Sequence, residues 1–186
     1  MIFPKKYKAL DVNIFTKNDY TLVPIRYEDR LNIMKWRNEQ MYHLRQEIIL
    51  TEENQENYYK DIISKLFTEK KPNQLLFSFL KNDKCVGYGG LVHIDWENKS
   101  SEISFIMNTS LEENYFEILW DKFLLLIEKV AFNDLNLQKI STYAYDIRPH
   151  IYKIFEKNGF INKVTLKDKY LFNNKTVDVV IHTKNK

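Results

Sequence analysis

Residues 74–107 read QLLFSFLKNDKCVGYGGLVHIDWENKSSEISFIM, and they hold three apolar segments rich in β-branched and aromatic residues, 74–80, 85–94 and 102–107. The intervening KNDK and DWENKSS carry turn residues, so the segments predict neighbouring antiparallel strands joined by hairpins. Residues 116–132 then set Leu119, Phe123, Leu126, Ile127 and Val130 three or four positions apart, the apolar face of a helix. Hairpin strands followed by a helical crossover imply a mixed, mostly antiparallel central sheet with helices on both faces. That is an α+β arrangement within the broad α/β class.

Toward the amino terminus, residues 20–26 read as a first strand, and the spacing of Tyr27, Leu31 and Met34 supports a first helix over 29–38. Thr51, followed by Glu52, Glu53 and Asn54, supplies a side-chain cap and first-turn acids for a second helix to about Glu69, closed by Lys70, Lys71 and Pro72. Toward the carboxyl terminus, 139–145 reads as a strand and 149–158 as a helix with Pro149 in its first turn and Gly159 as its stop. Two last strands, 161–166 and 176–183, flank the turn signal Asn173-Asn174. The order is β, α, α, β, β, β, α, β, α, β, β.

At 186 residues the chain is expected to be one domain, and its 44% hydrophobic and 28% charged residues suit a globular protein. Apolar runs such as 123–127 are too short to span a bilayer, and MIFPKKYKAL lacks the features of a secretory signal, so a cytoplasmic location is expected. The only cysteine, Cys85, allows neither an intrachain disulfide nor a cysteine zinc cage, and it reads as a small buried hydrophobe. A net charge of +3 without a long block of like charge argues against nucleic acid as a partner.

Several strings, in this order, resemble the GNAT superfamily of N-acetyltransferases, in the branch of ribosomal-protein alanine and nucleotide-amino-sugar enzymes. Trp36-Arg37-Asn38 is similar to the W-R-N of the amino-sugar enzymes, KCVGYGGL (84–91) to a central strand and SEISF (101–105) to its neighbour. Arg148-Pro149 followed by FEKNGF (155–160) resembles the acetyl-CoA-side helix, and FNNKTVDV (172–179) the closing hairpin, with Asn174 at the turn glycine and Asp178 at the acid. The family holds the pyrophosphate on backbone amides of a Gly-rich strand-to-helix turn, where a close approach meets the positive end of a helix dipole. The corresponding stretch here, 108–117, contains none of the chain's four glycines. An ungapped overlay puts Glu112, Tyr115 and Glu117 at the family's Arg/Gln and two small positions, and with Glu113 three carboxylates face a phosphate site. Acids in a first turn are also ordinary helix capping.

The resemblance implies acetyl-CoA as cosubstrate and a small-molecule amine acceptor, with a nucleotide-linked amino sugar favoured. It implies donor contacts from Ile106, Met107, Asn108, Asn114, Tyr115, Phe116, Arg148 and Phe155. Glu102 matches a position where related enzymes carry a proton-accepting Glu, and His93 is a second candidate base. Phe155 stands where many members carry the acidic Tyr, so Tyr152 is the first substitute, ahead of Tyr143 and Tyr145. Trp36, Arg37, Asn38 and Tyr42 are the acceptor-side candidates: Arg37 for a phosphate, Trp36 or Tyr42 to stack on a base or sugar. No metal site is expected, and the protein is a monomer or homodimer. The glycine-free turn and Phe155 leave open a non-catalytic binding module of the same fold, and a ribosomal-type protein acetyltransferase is the remaining alternative.

Overall fold

A computed structural model describes residues 3–186. In chain order the elements are β1 (Phe15–Lys17), β2 (Tyr20–Pro24), α1 (Arg30–Glu39), α2 (Glu52–Tyr58), α3 (Ser64–Leu66), β3 (Leu75–Lys81), β4 (Lys84–Asp95), β5 (Ser100–Met107), α4 (Glu112–Glu128), β6 (Lys139–Tyr145), α5 (His150–Lys157), β7 (Ile161–Phe172) and β8 (Lys175–Asn185). The strands form one eight-stranded sheet in the order β1-β2-β3-β4-β5-β6-β8-β7. Every pairing is antiparallel except β5 with β6. This is the mixed, mostly antiparallel sheet the hairpin run predicts.

The hairpins β3–β4 and β7–β8 turn on left-handed residues, Asn82 and Asp83 at φ 46° and 63° and Asn173 and Asn174 at φ 50° and 60°. Asn and Asp tolerate that backbone, so the missing turn glycine at Asn174 costs little. Both strands of the last hairpin run longer than the sequence reading, β7 to Phe172 and β8 to Asn185. The reading also passed over β1, three residues paired with β2 and too short for a period-two pattern.

Thr51 caps α2 in a reciprocal box, its hydroxyl accepting from the Asn54 amide while the Asn54 side chain accepts from the Thr51 amide. Residues Tyr59–Ile63 then widen into a π-helical turn that joins α2 to α3. The crossover helix α4 begins at Glu112 instead of residue 116, which puts the acids Glu112 and Glu113 into its first turn.

Facing residues of β4 and β5 divide the two layers. Gly89 pairs with Phe105, whose ring stacks on Phe123 of α4 at 4.0 Å and 12°. Tyr88, on the opposite face, accepts a hydrogen bond from Arg37 of α1 at 2.7 Å. Helices therefore cover both faces. Close helix approach is what the Gly89 position serves, since a Cβ there would lie 2.9 Å from the Phe123 ring and 2.1 Å from the Ser104 carbonyl. Cys85 is partly buried, and burial pushes its thiol up to about 12, which suits a packing residue and not a nucleophile.

Candidate functional site

The parallel pair β5–β6 is short. Its register runs from Ser100↔Lys139 to Ile103↔Thr142 and stops, while β6 continues along β8 to Tyr145. Beyond that point β5 and β6 part, and the wedge between them is a cleft of about 310 Å³ that crosses the sheet. Phe105, Trp120, Ile151 and Phe155 form its apolar wall on the α4–α5 side. At the fork the buried Thr142 hydroxyl lines the cleft with no hydrogen-bond partner among the described residues. An opened sheet with an apolar wall and one unsatisfied hydroxyl suits an extended polar-and-apolar arm such as that of acetyl-CoA.

The mouth beside α4 has an unusual charge arrangement. Leu111, at the amino end of α4, caps nothing with its side chain, and the Glu112 amide donates to the Thr109 carbonyl of the 3-10 turn that leads into the helix. Two of the three acids that the sequence placed against phosphate are matched by cations: Glu112 by Arg148 at 3.5 Å and Glu117 by Lys157 at 3.1 Å. Burial raises the Glu112 carboxyl and lowers the Arg148 guanidinium, each partly offset by its partner. Arg148 also donates to His43 Nδ1 at 3.1 Å, which leaves the ring proton on Nε2, 3.2 Å from the Gln40 side-chain oxygen. Gln40 in turn donates to the Met107 carbonyl at 2.8 Å and the Thr109 hydroxyl at 3.0 Å. Burial, reinforced by the Arg148 charge, holds His43 at about 3, so the ring is neutral. A chain of hydrogen bonds thus ties the start of α5, through the turn after α1, to the end of β5. Arg148 is the cation that lines the cleft at this end.

On the other face, Glu102 and Ser104 of β5 line the cleft with Gln74, just before β3, and Arg37 of α1. Glu102 is ion-paired with Arg45 of the α1–α2 loop, whose guanidinium lies 4.7 Å over the Tyr143 ring. His93 stands at the rim, exposed, in a β4 irregularity between Val92 and Asp95 that gives it a left-handed φ of 51°. Tyr143 and Tyr145 line the cleft, and Tyr145 is stacked flat on Tyr170 at 3.8 Å and 3°.

Other candidates lie elsewhere. The Tyr152 hydroxyl donates to Asp146 at 2.9 Å and its ring packs against His182, because its position on α5 turns it out of the wedge. Trp36 is buried in the core on the inner face of α1. Asn38 spends its amide on the loop, donating to the Leu50 carbonyl and accepting from the Leu50 amide, both at 2.9 Å. Tyr42 is exposed beside His43. Of the four acceptor-side candidates Arg37 alone lines the cleft, with Nε donating to Gln46 at 2.9 Å and Nη1 to Tyr88. On the donor side Arg148 and Phe155 line it, whereas Ile106 and Met107 are buried within β5. The Asn108 side chain caps the turn before α4, Asn114 and Tyr115 are exposed on the first turn, and Phe116 packs on His150. Sequence reasoning missed Gln40, His43, Arg45 and Thr142. The first three sit in an irregular loop without a motif, and Thr142 is one ordinary strand position whose importance arises only where the strands part.

Among the described residues no group of His, Cys, Asp and Glu is arranged to hold a metal ion, and no helix is long and apolar enough to cross a membrane.

Residues 22–181 match the family model described as Acetyltransferase (GNAT) domain. Among solved structures, the chain is similar to a spermidine N-acetyltransferase from Vibrio cholerae in complex with CoA and spermine: TM-score 0.77, 19% identity, 91% of this chain and 96% of that chain covered. A chimeric form of the Vibrio cholerae enzyme is similar at TM-score 0.72 and 20% identity, over 90% of this chain and 95% of that one. No curated protein sequence matches.

Proposed function

Because the chain belongs to the acetyltransferase (GNAT) domain family, we propose that its cleft transfers an acetyl group from acetyl-CoA to the primary amine of a small molecule, with Glu102 as the proton acceptor. The protein is an acyltransferase with acetyl-CoA as donor. The observation that carries the rest is the wedge between β5 and β6, which crosses the sheet and puts an apolar donor side against a polar acceptor side.

The Phe155 wall, the Thr142 hydroxyl and Arg148 are the groups that would hold the donor, the arm between the strands and the phosphates at Arg148 and the amino end of α4. Bound acetyl-CoA supplies an activated acyl group. On the acceptor side an amine arrives as an ammonium ion, and nucleophilic attack needs its lone pair. Glu102 is suited to receive that ammonium because its carboxylate already holds a cation, Arg45, which the acceptor replaces. The ammonium gives its proton to Glu102 directly or through one water. Tyr143 and Tyr145 replace Tyr152 as donors of a proton to the departing thiolate, since they are the tyrosines that line the cleft. Burial raises the Tyr145 phenol, which keeps its proton in place at neutral pH.

The nucleotide-linked amino sugar keeps a single supporting residue, Arg37, with Trp36 in the core and Asn38 committed to the loop. The similar Vibrio cholerae structures are of spermidine N-acetyltransferases, which places polyamines among the acceptors to be tried. Release of free thiol from acetyl-CoA is measured against a panel of small primary amines, a polyamine, a nucleotide-linked amino sugar and an amino-terminal peptide. Turnover with a small amine is the expected result. Turnover with the peptide alone assigns the chain to protein modification, and absence of both turnover and acetyl-CoA binding leaves a non-catalytic module.

A further inference from the structure

We infer that the acceptor amine carries an anionic group, a carboxylate or phosphate, on an apolar or aromatic body, and that a side cavity ending on Arg37 holds this body. The inference rests on the acetyl-transfer reading of the main cleft.

The side cavity, of about 430 Å³, lies between α1, α2 and the sheet. It shares Arg37, Gln74, Val92 and Ser104 with the main cleft, so the two spaces are continuous. Most of its wall is apolar or aromatic, including Ile25, Ile33, Leu50, Leu76, Tyr58 and Tyr59. Among the described residues no Asp or Glu lines it, and Arg37 is its one charged residue. Among the described residues no carboxylate lies within ion-pairing distance of Arg37. Its fork bonds the Gln46 side-chain carbonyl and the Tyr88 hydroxyl, and among the described residues Nη2 has no acceptor. A guanidinium has five donors in one plane, and with Nε and Nη1 engaged the Nη2 edge is left for an acceptor group of a ligand.

A second polar group points the same way. The Tyr59 side chain is 1% exposed, lines this cavity, and its hydroxyl has no hydrogen-bond partner among the described residues. Burial pushes that phenol far up, so it remains a donor. A spare guanidinium edge and a spare buried hydroxyl in an otherwise apolar cavity match an anionic acceptor end. With Glu102 receiving the ammonium in the main cleft, the two charges of such an acceptor each meet their opposite. A polyamine would instead bring further cations toward Arg37 with no carboxylate to meet them, a repulsive arrangement that specificity rests on.

The test uses the full chain with saturating acetyl-CoA and matched acceptor pairs: phenylalanine against phenethylamine, phosphoethanolamine against ethanolamine, and spermidine beside them. The member bearing the anionic group in at least one pair is expected to have a kcat/KM about tenfold or more above its partner that lacks it, the scale of one hydrogen bond to a charged group. The pair with the larger ratio identifies carboxylate or phosphate. Arg37→Lys, which keeps charge but loses the fork, is expected to shrink that ratio at least about fivefold, and Tyr59→Phe to raise the KM of the preferred acceptor. The preferred anionic acceptor is also expected to raise the melting temperature of the wild-type chain more than that of Arg37→Lys, a readout independent of turnover. Preference for spermidine or for the members without an anionic group, with acetyl transfer intact, overturns the inference and leaves the parent reading standing. Absence of acetyl transfer to any amine, with acetyl-CoA binding absent, overturns both.

Discussion

Removing the Arg45 side chain tests whether the loop cation and the acceptor compete for Glu102. In the resting protein Arg45 pairs with Glu102, with side-chain exposures of 47% and 16%. With one partner half in water, the pair is worth at most about 1 kcal/mol. An ammonium that must displace Arg45 gives up that amount, which corresponds to about fivefold in affinity. Arg45→Ala is therefore expected to lower the KM of the amine by up to about fivefold, with kcat changed less. The assay is initial-rate thiol release over a range of amine at saturating acetyl-CoA. A second arm uses salt: at about 1 M, where the screening length falls to about 3 Å, the difference between variant and wild type should narrow. Loss of the Arg45 contact with the Tyr143 ring works in the opposite direction through stability, so melting temperatures are measured alongside. If Arg45→Ala raises KM or lowers kcat tenfold while the fold is intact, Arg45 positions the acceptor and the competition is wrong.

Glu102→Gln is expected to cut turnover by about two to four orders of magnitude with acetyl-CoA affinity nearly unchanged, measured by single-turnover rates and calorimetric titration; an unchanged rate would transfer the role to His93 or to water. Arg148→Ala is expected to weaken acetyl-CoA more than dephosphorylated or truncated thioesters, because only the former offers phosphates to the guanidinium; equal weakening would make Arg148 structural. His43, held at about 3 in the fold and near 6.5 when unfolded, takes up a proton more readily in the unfolded chain. Stability is complete above about pH 6.5 and falls as the pH drops toward 3, with a slope of at most about 1.4 kcal/mol per unit from this residue. His43→Gln should flatten that slope in denaturant titrations at pH 7, 5.5 and 4, over a background to which His150 and His182, also lowered by burial, contribute with the same sign. Gly90→Ala would put a Cβ 1.9 Å from the Leu75 carbonyl, a backbone atom that cannot rotate away, so it is expected to cost about 2–3 kcal/mol or prevent folding; a loss under about 0.5 kcal/mol would show that β3 and β4 can separate there.

What the sequence made legible follows what is local. The hairpin run of β3, β4 and β5 and the apolar stripe of α4 were readable because alternation and helical spacing are set within a few residues. Glu102 and Phe155 were placed by strings that resemble a family, and both line the cleft. Trp36 and Asn38 came from a string of the same kind, yet the fold spends them on core packing and on pinning Leu50. A motif fixes a position along the chain, whereas the side chain's direction depends on how α1 lies on the sheet. Tyr152 fails for a related reason: one helical turn from Phe155 keeps it near the same face, but Asp146 and His182 draw it out of the wedge.

The glycine-free turn shows most clearly where local reading stops. Read along the chain, Glu112, Glu113 and Glu117 oppose a phosphate. In the folded protein two of them meet cations from 36 and 40 residues away, Arg148 for Glu112 and Lys157 for Glu117, at the two ends of the α5 segment. The β6–α5 segment thus offsets in charge what the β5–α4 turn lacks in glycine, and the Gln40–His43–Arg148 chain ties both to the loop that carries Arg45 toward the acceptor side. Donor-side and acceptor-side groups are therefore linked through one irregular segment, residues 40–45. On the proposed assignment of phosphate to Arg148, a ligand that drew Arg148 from His43 would remove one of the bonds holding the segment that presents Arg45 to Glu102.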